Sequence, residues 1–83
     1  MALEKFEYNF KLLKQKRIER GISTLDIANE LCLAERQILS IEENRSQHFP
    51  SASLKLVCVR KYAKALGLRI SEVIPHLEEI SPN

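Results

Sequence analysis

The 83-residue sequence predicts an all-α domain, a five-helix bundle containing a helix-turn-helix, on three observations. Apolar residues recur at three- and four-residue spacing along most of the chain, and no stretch alternates apolar and polar residues as a half-buried strand does. Gly21 and Gly67 each stand just past such a run, where a helix stop can turn left-handed without a Cβ in the way. Serines stand near the starts of the runs that follow, as N-caps would.

The first helix runs from either about Leu3 or Asn9 to Arg20, with Phe6, Phe10, Leu13 and Arg17 on one stripe, and it stops at Gly21. Ser23 caps the second helix. Asp26, three residues on, is spaced to return a bond to the Ser23 backbone N–H in a variant of the capping box. Within "STLDIANELCLAERQILSIEEN", residues 23–44, Ile27, Leu31, Leu33, Ile38 and Ile41 carry the spacing of two helices sharing one core. The pattern breaks once, at "CLA", where Leu33 plugs the turn. Ala28 falls where the two helices must pass closely, so a small side chain is required there.

"FPSAS" breaks the chain before a fourth helix over about Ala52 to Ala65, ending at Gly67. Ser71 caps a short fifth segment whose Pro75 fits only in a first turn. Residues 1–9 read as an N-terminal extension with helical potential, 10–77 as the domain and 78–83 as a tail. Ala28, Leu31, Ile38, Ile41 and Tyr62 are the expected buried set.

One small core is all that this length supports, and an enzyme with a deep cleft is not expected. No nucleophile stands with a base, no glycine-rich loop could cradle phosphate, and no carboxylate pair has a pocket, so neither catalysis nor a small-molecule substrate is predicted. Cys32 and Cys58 are flanked by leucine or valine and read as buried, reduced hydrophobes rather than a disulfide. His48, a loop residue before "FP", and His76 complete no ligand spacing, so no metal and no cofactor are expected. No apolar run reaches the roughly 18 residues of a membrane span, and "MALEKFEYNF" is too charged for a secretory core, which predicts a cytosolic chain.

The net charge of +2 is unevenly spread. Residues 11–20 hold Lys11, Lys14, Lys16, Arg17 and Arg20 against Glu19, while residues 55–69 hold Lys55, Arg60, Lys61, Lys64 and Arg69 with no acid. Single cations of this kind are solvated helix faces. Their clustering points to a polyanion or an acidic protein as partner.

From "LLKQKRIERGIS" through "ALGLRISEVIP", about residues 10–77, the chain resembles helix-turn-helix domains of the lambda-repressor (XRE) class. It is most similar to the cytoplasmic domain of the RodZ family of bacterial cell-shape proteins. The likeness is carried by Gly21-Ile22-Ser23, Ala28, "LCL" at the turn, "IEEN" after the third helix and "RKYAKALGL" in the fourth. It implies five packed helices and, on the RodZ side, the cytoplasmic piece of a membrane-anchored protein. The chain departs from the pattern at Cys32, where relatives commonly carry glycine, and at Thr24, where they often present glutamine to a phosphate. Leu54 and Cys58 stand where RodZ proteins carry two aromatic residues that meet the actin-like filament protein MreB.

Two functions follow. In the first, the domain is a module of the transcriptional-regulator type that binds duplex DNA. Glu35, Arg36, Gln37 and Ser40 then face base edges at the start of the third helix, arginine pairing with guanine and glutamine with adenine. Thr24, Arg45 and the first-helix lysines touch phosphates. Glu35, Glu42 and Glu43 oppose this reading, because uncompensated carboxylates near phosphates cost affinity. In the alternative, Leu54, Cys58, Lys61 and Lys64 form a docking face for an MreB-like filament or another cell-shape protein. Leu54, Cys58 and Tyr62 at helical spacing also fit a plain core, and a homodimer stays open.

Overall fold

The computed structural model describes residues 7–75, and these form five helices with no strand among them. They are α1 (Phe10–Glu19), α2 (Thr24–Leu31), α3 (Glu35–Glu42), α4 (Ala52–Ala65) and α5 (Ile70–Val73). α1 starts at Phe10 because the Asn9 side chain accepts the Leu12 N–H at 3.1 Å, and residues 7–9 are not helical. The earlier of the two expected starts therefore does not hold at residues 7–9; its remainder, with Phe6 and the tail 78–83, lies outside the described residues.

At the other end of α1, Gly21 adopts φ +68° and the Ile22 N–H bonds back to the Arg17 carbonyl at 3.1 Å. The turn satisfies carbonyls that the helix leaves open. Ser23 Oγ then accepts the Asp26 N–H at 3.0 Å, capping α2 as expected, whereas the return bond from Asp26 is not formed. α2 ends at Cys32 with φ 60°, a left-handed position that costs an L-residue about 1–2 kcal/mol relative to glycine. Cys32 is exposed, correcting the expectation that both cysteines are buried. Its backbone turns at the outer corner, while the next residue, Leu33, packs inward and its N–H reaches the Ala28 carbonyl at 2.8 Å.

α4 takes the expected span, with Ser51 Oγ accepting the Leu54 N–H at 3.1 Å and Gly67 turning the chain at φ +76°. α5 differs from expectation. Arg69, without a side-chain bond, is its N-cap; Ser71 lies inside it and Pro75 beyond its end. The apolar phase decided this boundary: Ile70, Val73 and Ile74, at i, i+3 and i+4, all pack on the core, so the helix must begin before Ser71.

The core gathers Leu13 of α1, Ile27 and Ala28 of α2, Ile38 and Ile41 of α3, Val59 and Tyr62 of α4, and Val73 of α5. Ala28, Leu31, Ile38, Ile41 and Tyr62 are buried as the pattern required. Two bonds tie the chain start across it: the Asn9 N–H donates to the Val73 carbonyl at 2.6 Å, and the Tyr8 hydroxyl to the Ile41 carbonyl at 2.7 Å. No helix among the described residues is long and apolar enough to cross a membrane.

Candidate functional site

Two faces could meet a partner, and the way each charged side chain is held separates them. Inside lies a polar junction. Arg17 grips the Glu42 carboxylate with two N–H groups, at 2.6 and 3.2 Å, and donates a third bond to the Ile22 carbonyl at 2.8 Å. The Tyr62 hydroxyl also donates to Glu42. The hydrogen bond to Glu42 raises the Arg17 pKa, and burial, reinforced by the same carboxylate, raises that of Tyr62. Glu42 is therefore not one of the carboxylates that would face phosphates, a correction with a legible cause: it follows Ile41 and shares the inward side of α3 with Ile38.

Lys55 is likewise buried rather than part of a solvated basic face. Its ammonium stands 4.9 Å from the Tyr8 ring centre and donates to Ser46 Oγ at 3.2 Å. Desolvation lowers its pKa. The sequence signal was weak, since Lys55 differs from its basic neighbours only in helical phase.

The helix-turn-helix face comes next. Thr24 and Glu35 meet across α2 and α3, the Thr24 hydroxyl donating to the carboxylate at 2.5 Å. Gln37 is half-buried, its carbonyl oxygen accepting the Ala34 N–H at 3.0 Å and its amide donating to the His48 carbonyl at 3.2 Å. Both ends of its amide are engaged within the fold, so reading adenine would require breaking them. Ser40 is buried, contradicting its placement among outward positions. The Arg45 N–H closes the end of α3 on the Ser40 carbonyl at 2.8 Å, past Asn44 at φ 58°.

What remains outward on and just after α3 is Glu35, Arg36, Leu39 and Glu43, with Arg45 standing 3.4 Å from Glu43. This face holds two carboxylates and an exposed leucine. Arg36 and Arg45 stay exposed, as a DNA reading needs.

The other face is a groove between α4 and α5. Val57, Leu68 and Ile70 form its apolar lining, and Arg60, Lys61 and Lys64 its charged lining, with no carboxylate; its volume is 440 Å³. Lys61 is anchored, its ammonium donating to the Leu31 carbonyl at the end of α2 at 3.3 Å. Leu54, 41% exposed, extends the ridge one turn before Val57, which is 50% exposed.

Cys58 does not belong to this face. It is buried, and burial pushes its thiol pKa up. The period of 3.6 sets Cys58 and Tyr62 inward at i and i+4 and turns Val57 out, so Leu54 and Val57, not Leu54 and Cys58, make the apolar ridge. Val57 could have been found by extending the stripe of Lys61 and Lys64 back by four residues from Lys61. A second groove, along the outer side of α1, mixes Lys11 and Lys14 with Glu19 and so lacks a single sign of charge. Among the described residues no cluster of three histidine, cysteine or acidic side chains could hold a metal ion.

No solved structure matches the chain. Residues 12–73 match the family model described as a helix-turn-helix domain, a family found in RodZ-like proteins, and the chain belongs to that helix-turn-helix family.

Proposed function

We propose that this helix-turn-helix domain is an adaptor that docks a protein partner through the α4–α5 groove, and that the partner is an MreB-like filament, as the resemblance to RodZ implies. The observation that carries this reading is the groove itself: three cations, no carboxylate, and an apolar lining extended by Leu54. Such a surface suits an acidic partner with an apolar ridge, since complementary charge steers the encounter and the apolar contact holds it. The absence of the aromatic pair is offset in kind, though not in size, by Leu54 and Val57.

Pelleting with polymerised MreB tests it. Wild type and Arg36→Ala are expected to co-sediment, and the double variant Arg60→Glu/Lys64→Glu to remain in the supernatant. A groove variant that still pellets, or an Arg36→Ala protein that does not, overturns the reading.

A second reading, duplex binding, is favoured by one observation: Arg36 is exposed in the first turn of α3, the part of a recognition helix that enters the major groove. It would rest on Arg36 and Arg45, with Lys11 and Lys14 for phosphates. Gln37, Thr24 and Ser40 contribute to it only if their present bonds or burial are given up. In this reading Glu35 and Glu43 stand beside the phosphates and weaken the contact.

A further inference from the structure

The outward side of α3 has the chemistry that the α4–α5 groove lacks. Glu35, Leu39 and Glu43 fall at i, i+4 and i+8, a stripe roughly 12 Å long at 1.5 Å per residue. Leu39 is 41% exposed, with a carboxylate one turn to either side. In the groove, Arg60 and Lys64 lie one turn apart beside Val57, Leu68 and Ile70.

We propose that the α3 stripe of one copy seats in the α4–α5 groove of a second copy, so that the domain self-associates through two different surfaces. Leu39 meets the apolar lining, and the two carboxylates meet Arg60 and Lys64. Arg36, on the flank of the stripe, stays outside the contact. Because stripe and groove belong to different elements, one contact leaves a free groove at one end and a free stripe at the other. Copies then add until the rotation closes. The contact is small, below the size of a stable complex, and so weak and transient. It also occupies the groove that the proposed filament partner needs, so self-association and docking compete. The inference rests on the reading of the groove as a protein-docking surface.

Sedimentation velocity over micromolar to millimolar concentration tests it, with helical circular dichroism to confirm that each variant folds. In low salt the wild-type sedimentation coefficient is expected to rise with concentration and to fall back when salt is added. Arg60→Glu/Lys64→Glu and Glu35→Lys/Glu43→Lys should each stay monomeric alone. Mixed in equal amounts, the two should associate again, since the reversed groove of one now fits the reversed stripe of the other.

In that mixture the two variants should alternate and extend as the wild type does, since the unreversed stripe of one also fits the unreversed groove of the other. Leu39→Asp, which leaves Thr24 and Arg45 their partners, should be monomeric and replaces the stripe variant if that one does not fold. A wild type that stays monomeric, a reversed variant that still associates alone, or a mixture that stays monomeric overturns the inference. If the wild type is monomeric yet pellets with filaments, self-association falls and the docking reading stands. If it associates but does not pellet, the filament reading falls alone.

Discussion

The Arg17–Glu42–Tyr62 junction and the α4–α5 groove each present basic side chains, and burial sets them in opposite surroundings. In the junction a guanidinium and a carboxylate are nearly dry, at 11% and 3% side-chain exposure, and each donor has a defined acceptor. In the groove Arg60 and Lys64 stand in water with no carboxylate among the lining residues. The buried pair ties α1, α3 and α4 together, whereas the exposed cations of the groove have no acid among its lining residues. α4 contains both cases itself, since buried Lys55 holds Tyr8 and Ser46 while exposed Lys64 lines the groove.

If that division is right, substitutions in the two regions should differ sharply in their effect on stability. Glu42→Ala leaves Arg17 and Tyr62 without their acceptor and should destabilise by about 3–5 kcal/mol, the range for breaking one side of a buried pair. A chemical-denaturation midpoint close to wild type would show that the junction is not a structural centre.

Tyr62→Phe keeps the ring and removes one hydrogen bond to a charged acceptor, a loss of about 1.5–3 kcal/mol. It also carries a pH signature. The folded pKa of Tyr62 lies above its ordinary 10.0, so the folded chain holds a proton that the unfolded chain releases. The stability this gives is complete below about pH 10 and is lost as pH rises beyond it. Tyr8 behaves in the same sense and Lys55 in the opposite one, so the quantity to measure is the wild-type minus Tyr62→Phe difference. It should shrink above about pH 10; a difference independent of pH would mean that Tyr62 is not held in this way.

Ala28→Leu probes the apolar side of the same region, where α2 passes close to α3. Overpacking there should cost about 1–3 kcal/mol in a thermal melt, and an unchanged midpoint would mean that the helices are not in close contact. The groove should barely respond: Arg60→Glu/Lys64→Glu is expected to change stability by no more than about 0.5 kcal/mol. A larger loss in that variant would erase the distinction between the two regions.

Much of this architecture was legible in the residues, because glycine stops, serine caps and helical spacing are local signals. Gly21, Ser23 and Gly67 each mark a boundary of the kind read for them, and Ser51 caps the helix expected after "FPSAS". The misses share one cause, tertiary phase or coverage that a single helix does not encode. Ser71 resembled a cap, but the packing of Ile70 moved the start of α5. Ser40 points away from Ile38 on a helical wheel and is nonetheless buried, which the phase of α3 alone does not encode. Glu42 and Lys55 looked like surface charges, since nothing near them in sequence announces Arg17 or Tyr8 as a partner. The candidate site was half legible: Leu54, Lys61 and Lys64 were named and their stripe leads back to Val57, whereas placing Arg60 in the groove required knowing which side of α4 faces α5.

The proposed function turns on whether the partner is taken by the α4–α5 groove or a duplex is read by Arg36 at the start of α3. The most direct measurement is a fluorescence-anisotropy titration of wild type and Arg36→Ala against random and selected duplexes, at low and moderate salt. The account predicts no sequence-selective binding, no duplex held more tightly than micromolar even at low salt, and no difference between the two proteins. A selected duplex bound more tightly than micromolar, with the preference lost by about 1–3 kcal/mol in Arg36→Ala, would contradict it and return the function to base reading by α3.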